Sequence, residues 1–243
     1  MTDYKASKRI VGTSAERAGN PITDSPAYTK VGTTVSASGT QIEATNCQTN
    51  QNPVHRVYKD IGSVSDSTFY FEFDYKQKQN DMNLYPMSLQ SGTGKTNIAS
   101  EDMIYLKTDG LDLTIAKKNA GSNTNSSDGW ITIVANTQYY CSITRSSNTA
   151  SLKVYSDSSR STQVGGTKTV SVSDVSGLQY IHSESRGDGG GGTNMGWICD
   201  NIVIYNGATS KPNSSFQTNS IWSETDTGKD FLFGSDGNWT EVA

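Results

Sequence analysis

The stretch Ser67-Thr68-Phe69-Tyr70-Phe71-Glu72-Phe73-Asp74-Tyr75-Lys76 decides the fold class of this chain. Aromatic residues stand at every second position, and the positions between them are mostly polar or charged. Successive side chains of a β-strand point to opposite faces, so this stretch has one aromatic face and one polar face. Four aromatic side chains of about 150–250 Å² each need a second layer to cover them. The stretch therefore predicts a strand in a sandwich of two β-sheets.

The polar face of this strand carries Tyr70, Glu72 and Asp74. It looks at water or at whatever the protein binds, because the aromatic face is turned inwards. We expect this face to hold the ligand-binding residues, if the chain has a ligand.

The composition fits a folded all-β protein. The chain has 243 residues, of which 33% are hydrophobic, and it is long enough for one large β-domain or two small ones with a substantial core. Aromatic and β-branched residues recur along its whole length, which disordered segments lack. No window shows the 3.6-residue apolar period of a helix, so we expect almost no helix.

The charges exclude some partners. Twenty basic and 24 acidic residues give a net charge of −4 and are interspersed. Because no basic stripe exists, we expect no nucleic-acid partner. No apolar run approaches the roughly 20 residues of a membrane-spanning helix, and the first residues lack the apolar core of a signal peptide. We therefore expect neither membrane insertion nor an export leader.

The chain divides into three parts. Residues 1–26 hold a short motif and a linker, residues 27–213 hold the sandwich, and residues 214–243 form a hairpin module. Inside the sandwich, Asp109-Gly110 predicts a tight hairpin, and Pro86 predicts an edge strand or a bulge.

Three cysteines are present, Cys47, Cys141 and Cys199, at no metal-ligand spacing. The odd number favours three free thiols that act as small buried hydrophobic residues. One disulfide with one free thiol is the alternative.

Residues 27–206 resemble the concanavalin A-like lectin/glucanase superfamily, a jelly-roll sandwich that includes laminin-G-like domains. The resemblance lies in residues 69–75, in Tyr139–Arg145 leading to Leu152–Tyr155, and in Gly196-Trp-Ile-Cys-Asp-Asn-Ile-Val-Ile-Tyr205, which is similar to the closing strand of such domains. It implies an all-β, antiparallel two-sheet jelly roll.

The two ends resemble short modules of virion proteins from marine phages and archaeal viruses. The residues are Lys8–Arg17, Trp222–Phe231 and Asp236–Trp239. Because both ends resemble parts of one module, we expect residues 8–17 to contact the hairpin at 222–242. Specifically, we expect Ile10 and Val11 to pack against an aromatic residue of the hairpin, namely Phe231, Phe233 or Trp239.

The glucanase resemblance also bears on catalysis. Laminarinase-type members carry Glu-x-Asp-x-Glu on one strand face, and retaining hydrolysis needs two carboxyls about 5–5.5 Å apart. The matching positions here are Glu72, Asp74 and Lys76. Because a lysine stands where the acid/base belongs, we expect no hydrolase activity and no enzyme.

Other candidate sites are weaker. His182 and Trp197 join Tyr70, Glu72 and Asp74 as candidate ligand-binding residues on or near the wet face. Calcium binding through loop oxygens stays an alternative to having no cofactor. The eligible carboxylates are Asp81, Asp128 and Asp200.

Two functions remain open. The first is a non-enzymatic virion structural protein, such as a capsid decoration, spike or tail-fibre component. It would be located on the virion, with other virion proteins and copies of itself as partners and a glycan or host surface as a further ligand. The second is a secreted or cell-surface carbohydrate-binding module, located outside the cell. A fold resemblance alone does not decide between them.

Overall fold

The computed structural model describes residues 9–12, 20–21, 27–47, 55–79, 84–93, 101–119, 121–185, 195–211, 221–233 and 239–242. Within these ranges, every helix or strand assigned is a β-strand, as the alternating pattern predicts. None of these ranges holds a helix with the length and apolar character needed to cross a bilayer.

The described residues contain twenty strands. The first ten are β1 (Arg9–Gly12), β2 (Asn20–Pro21), β3 (Thr29–Val31), β4 (Val35–Ser38), β5 (Gln41–Cys47), β6 (Arg56–Asp60), β7 (Thr68–Gln77), β8 (Tyr85–Gln90), β9 (Met103–Asp109) and β10 (Asp112–Asn119). The remaining ten are β11 (Ser122–Asn125), β12 (Ile131–Thr132), β13 (Tyr139–Ser146), β14 (Thr149–Tyr155), β15 (Gln163–Ser171), β16 (Tyr180–Glu184), β17 (Met195–Asn206), β18 (Ile221–Glu224), β19 (Asp230–Phe233) and β20 (Trp239–Val242).

Two large antiparallel sheets form the sandwich. Sheet I has the strand order β11-β10-β9-β8-β16-β6-β3, with β12 also paired to β10. Sheet II has the order β15-β14-β13-β7-β17-β5-β4, with β2 also paired to β17. The fold is therefore the all-β, jelly-roll type of sandwich that the sequence predicts. The strand β7, on which that prediction rests, lies at the centre of sheet II.

The core lies between the two sheets. Phe69, Phe71, Phe73 and Tyr75 have no exposed surface, and the rings of Phe71 and Phe73 are 5.2 Å apart. Leu106, Leu113 and Ile115 of sheet I belong to the same buried cluster. Burying an aromatic side chain stabilises a fold by about 1.5–3 kcal/mol, so the aromatic face of β7 accounts for a large share of the core.

Polar contacts also bridge the sheets. The indole Nε1 of Trp197, on β17, donates to Ser183 Oγ on β16 at 2.9 Å. The Cys199 thiol donates to the Pro86 carbonyl at 3.5 Å. All three cysteines are buried and free, which confirms the prediction of buried thiols.

The structure settles two turn predictions. Gly110 and Leu111 connect Asp109, the last residue of β9, to Asp112 of β10, and Gly110 has a φ of 65°, which glycine adopts without steric cost. Pro86 lies on β8, between β9 and β16 rather than at an edge. The β8–β16 register shifts between His182 and Glu184, so the bulge is the alternative that holds.

The two ends of the chain form one small sheet, with the order β1-β18-β19-β20, here called the terminal sheet. β1 pairs in parallel with β18, so Ile10 lies opposite Trp222 and Val11 opposite Ser223. The main chains of residues 9–12 and 221–224 are thus neighbours. The aromatic residues named in the expectation, Phe231, Phe233 and Trp239, lie on β19 and β20, one and two strands further across.

Candidate functional site

The outer face of sheet II presents three rows of side chains that cross neighbouring strands. The register of β14, β13, β7 and β17 sets these rows. They are Tyr155-Tyr140-Asp74-Asp200, Lys153-Ser142-Glu72-Val203 and Ser151-Thr144-Tyr70-Tyr205. Because side chains directly opposite each other on adjacent strands are about 4.5–5.5 Å apart, each row brings its members into contact range. The predicted residues Tyr70, Glu72 and Asp74 occupy the same strand in successive rows.

Glu72 is the buried acid of this face. Its side chain is only 5% exposed, which is uncommon for a carboxylate without a cationic partner. Lys211 Nζ donates to Glu72 Oε1 at 3.2 Å, and Arg160 Nη1 lies 3.7 Å from Oε2. Two cations from outside the strand therefore balance this carboxylate.

Asp74 is the second acid and shares Arg160. Arg160 Nη2 donates to Asp74 Oδ1 at 3.2 Å, and Asn201 Nδ2 donates to Oδ2 at 2.8 Å. Burial raises the pKa of Asp74, while the Asn201 hydrogen bond and the Arg160 charge act in the opposite direction.

A β-bulge places Asn201 over Asp74. The β17–β7 register shifts between Asp200 and Val203, and Asn201 has a φ of 48°. This left-handed conformation is one that asparagine tolerates better than most residues. The bulge therefore directs the amide of Asn201 onto the carboxylate of β7.

The connection between β14 and β15 holds Arg160 in place. Asp157 caps this loop, since its Oδ2 accepts from Thr162 N at 2.6 Å and its Oδ1 accepts from Ser161 N at 3.1 Å. The hydrogen bond from the Ser159 hydroxyl, together with these two main-chain hydrogen bonds, keeps the pKa of Asp157 well below its usual value. Arg160 has a φ of 55°, and its guanidinium lies 5.8 Å from the centre of the Tyr140 ring. The loop thus presents the arginine in a fixed position.

Two phenols border the acids on the other side. The rings of Tyr70 and Tyr205 are 5.8 Å apart. Burial and the nearby Glu72 carboxylate raise the pKa of Tyr70 to about 12 and also raise the pKa of Tyr205. Both hydroxyls therefore stay protonated at neutral pH.

Tyr70, Glu72 and Arg160 line a pocket of about 380 Å³. The lining residues are aromatic, hydroxyl-bearing or charged, and none of them is aliphatic: Tyr70, Glu72, Ser142, Thr144, Lys153, Tyr155, Ser158, Ser159, Arg160, Thr209, Ser210 and Lys211. Ser142 has the smallest side chain of its row, and it lies between Lys153 and Glu72. The floor of the pocket is therefore lowest above Ser142.

His182 and Trp197 do not join this site, which corrects their expected placement on the wet face. Trp197 has no exposed surface and points between the sheets towards Ser183. His182 lies on sheet I, buried, where it stacks on Tyr58 with ring centres 5.3 Å apart. Its Nε2 is 2.9 Å from the Gly92 carbonyl oxygen.

Two of the three calcium candidates lie among the described residues, and each accepts a hydrogen bond from a different threonine. Asp81 lies outside the described residues. Asp128 accepts hydrogen bonds from the main chain and hydroxyl of Thr169, and Asp200 accepts from Thr40 Oγ1 at 2.7 Å. In the part of the chain that the structure describes, no group of three or more His, Cys, Asp or Glu side chains is arranged to hold a metal ion.

Sequence reasoning missed the basic residues of the pocket. Arg160 and Lys211 lie 86 and 139 positions from their partners on β7, and a strand pattern gives no long-range partner. One local feature of the sequence points to Arg160. Its loop directly follows Tyr155, the last residue of β14, and β14 pairs with β13 in the same sheet as β7.

No protein-family model matches the chain, and no curated protein matches it in sequence. Several solved structures resemble it. A Trypanosoma rangeli sialidase bound to 2,3-difluoro-KDN is 9% identical, with 86% of this chain and 35% of that chain covered and a TM-score of 0.49. The carbohydrate-binding module CBM66 from Bacillus subtilis is 13% identical, with coverage of 73% and 94% and a TM-score of 0.42.

A third similar structure is botulinum neurotoxin type C, whose cell entry depends on interaction with two ganglioside molecules. It is 11% identical, with 73% of this chain and 42% of that chain covered and a TM-score of 0.48. The chain thus spans well under half of the sialidase and of the neurotoxin chain. At these identities and TM-scores, the likenesses carry no argument about what this chain binds or catalyses.

Proposed function

We propose that the chain is a non-catalytic carbohydrate-binding domain, with its binding site in the pocket above Ser142. The observation that carries this proposal is the lining of the pocket. Six of its residues are serine or threonine, two are tyrosine, and the other four are charged. A sugar offers hydroxyls that need donors and acceptors, and apolar ring faces that pack on aromatic side chains. The lining supplies both.

The size and the rigidity of the pocket support the same conclusion. Ligand pockets commonly have volumes of about 300–1,000 Å³, and this one is at the lower end, which suits a ligand of one or two sugar rings. The ion pairs of Arg160 with Glu72 and Asp74, and the capped loop that carries Arg160, fix the polar groups before a ligand arrives. Such preorganisation lowers the entropic cost of binding.

The charges around Glu72 support a role without catalysis. Glu72 lies within ion-pair distance of two cations, Arg160 and Lys211, so its oxygens are engaged by the protein itself. Lys76 stands at the position of the third acid. We propose that the site binds its sugar and does not cleave it.

We also propose that the domain works on a virion, as part of a capsid decoration, spike or tail fibre, in contact with other virion proteins and with copies of itself. What supports this proposal is the pairing of β1 with β18 in the terminal sheet, because the resemblance of the two ends to parts of one virion module led us to expect that they meet. The alternative is a secreted or cell-surface binding module. Immunogold labelling of purified virus particles with an antibody to this chain separates the two.

An oligosaccharide array tests the binding proposal. The wild-type protein should bind at least one class of sugar, and Ser142→Phe, which fills the floor of the pocket, should lose that binding. Ser171→Phe is the matched control, because Ser171 is an exposed residue of the same sheet outside the pocket. Since Ser142 is buried, thermal unfolding must show that the variant is folded, and Tyr155→Ala provides a second test. Binding that survives in both pocket variants would contradict the proposal.

A further inference from the structure

The lining of the pocket contains more positive than negative charge. Its basic residues are Lys153, Arg160 and Lys211, and Glu72 is its one carboxylate. The second acid of this face, Asp74, is bound by Arg160 and Asn201. Counting the ion pairs of the two acids therefore shows which of the three cations has no acidic partner.

Arg160 and Lys211 are engaged by the acids of β7. Arg160 contacts both carboxylates, at 3.7 Å from Glu72 and at 3.2 Å from Asp74. Lys211 binds Glu72 at 3.2 Å, with 48% of its side chain exposed. Two cations thus match two carboxylates.

Among the three basic residues of the pocket, Lys153 is the one for which the described part of the chain provides no acidic partner. Its side chain is exposed, and the residue lies opposite Ser142, which in turn lies opposite Glu72. The nearest acid of the adjoining loop, Asp157, is turned towards the amides of its own loop. The ammonium group of Lys153 therefore faces the pocket with no carboxylate to neutralise it.

We propose that the pocket takes an acidic sugar, meaning a sugar ring that bears one carboxylate or sulfate group, and that Lys153 selects the acid. This inference rests on the proposed carbohydrate-binding function and names the class of its ligand. The acidic group lies against Lys153, with Lys211 close enough to contribute through its exposed end. The hydroxyls of the sugar ring face the floor of the pocket at Ser142. There Glu72 accepts a hydrogen bond from the sugar, and the Tyr70 hydroxyl donates one to it.

The exposure of Lys153 makes it a determinant of specificity rather than the main source of affinity. A charged hydrogen bond at a partly solvated site changes affinity by about tenfold. Neutral sugars of the same shape should therefore still bind, but more weakly. Salt should weaken the binding of the acidic sugar more than that of the neutral one.

An array of matched neutral and acidic oligosaccharides tests this inference. The pairs are terminal glucose against glucuronic acid, galactose against galacturonic acid, lactose against 3′-sialyllactose, and galactose against galactose 3-sulfate. The wild-type protein should prefer the acidic member of at least one pair by about tenfold. The first three pairs report on carboxylates and the last reports on sulfate.

Variants of Lys153 give the decisive comparison. Lys153→Gln should remove the preference for the acidic member of the pair, and Lys153→Glu should reverse it. Lys229→Gln is the control, because Lys229 is an exposed lysine in the connection between β18 and β19 and does not line the pocket. Equal binding of both members of every pair by the wild-type protein would overturn the acidic-sugar inference and leave carbohydrate binding intact. No binding to any sugar would overturn both.

Discussion

Arg160 Nη2 lies 3.2 Å from Asp74 Oδ1, although 86 positions separate the two residues. The same guanidinium reaches Glu72 and stacks over Tyr140. One loop residue thereby ties the connection between β14 and β15 to the central strand of sheet II. This contact shapes one wall of the pocket.

Replacing Arg160 should therefore cost both stability and binding. Arg160→Ala leaves two largely buried carboxylates without their shared cation, and hydrogen bonds to charged groups contribute about 1.5–3 kcal/mol each. We expect the free energy of unfolding in urea to fall by about that amount. Arg160→Lys should lie between the two proteins, because lysine keeps the charge and loses the two-pronged geometry. An unfolding curve for Arg160→Ala that overlays the wild type would contradict this account.

The core prediction concerns Phe71. Phe71→Ala removes a fully buried ring that packs on Phe73, and such truncations cost about 3–5 kcal/mol. Urea unfolding measures the loss, with the exposed residue Thr132→Ala as the control. A loss below about 1 kcal/mol would show that the Phe71 ring does not contribute to the packing of the core, because truncating a buried aromatic side chain costs more than this.

His182 should make the fold less stable in mild acid. Burial, with Arg56 close by, lowers the pKa of His182 to about 3, although its hydrogen bond to the Gly92 carbonyl opposes the shift. The unfolded chain binds a proton near pH 6.5, and the folded chain does not. The contribution of neutral His182 to the free energy of unfolding is therefore fully present above about pH 6.5. It falls as the pH decreases towards 3, by at most about 1.4 kcal/mol per pH unit.

Asp74 has the opposite effect on stability, because its pKa is raised in the folded state and stability therefore rises as the pH falls. The pH dependence of the wild-type protein contains both contributions. The comparison with His182→Gln separates them, since glutamine keeps a donor for the Gly92 carbonyl and has no titration. Urea unfolding at several values between pH 4.5 and 6.5 should give a shallower slope for the variant. Equal slopes would show that His182 is not buried in its neutral form.

The sequence predicted much of this structure through alternation. Phe69 to Tyr75 fixed the inward face of β7, so Tyr70, Glu72 and Asp74 were correctly assigned to the outer face. Alternation gave the wrong face for Trp197, because the set of positions in β17 that point inwards shifts by one residue along the strand. Trp197 and Cys199 point inwards before the bulge at Asn201, and Ile202 and Ile204 point inwards after it. A bulge shifts the pattern by one residue, and nothing local distinguishes the two phases.

The basic half of the site was not predictable for a different reason. Arg160, Lys211 and Lys153 reach the pocket from two loops and a neighbouring strand. Their positions beside β7 follow from the strand order of sheet II, which pairs β7 with β13 and β17 rather than with its neighbours in sequence. The burial of His182 was not predictable either, because what covers this residue of sheet I is decided by tertiary packing.

The terminal sheet gives a prediction about the ends of the chain. Removing residues 1–12 deletes β1 and exposes the edge of β18. Short sheets are marginal alone, so amides of residues 221–224 should lose protection from hydrogen exchange. Amides of β7 in the sandwich serve as the internal control and should keep their protection. Unchanged protection at 221–224 would show that the pairing of β1 with β18 does not hold the module together.

The most direct test of the central claim is to find where a sugar contacts the protein. The measurement is a titration of ¹⁵N-labelled protein with the strongest binder from the oligosaccharide array, followed by amide chemical shifts. The account predicts that the largest shifts lie on β7, β13 and β14 around Ser142 and in the loop at 156–162, and that they vanish in Ser142→Phe. Shifts confined to sheet I or to the terminal sheet would contradict the claim that the pocket on sheet II is the binding site.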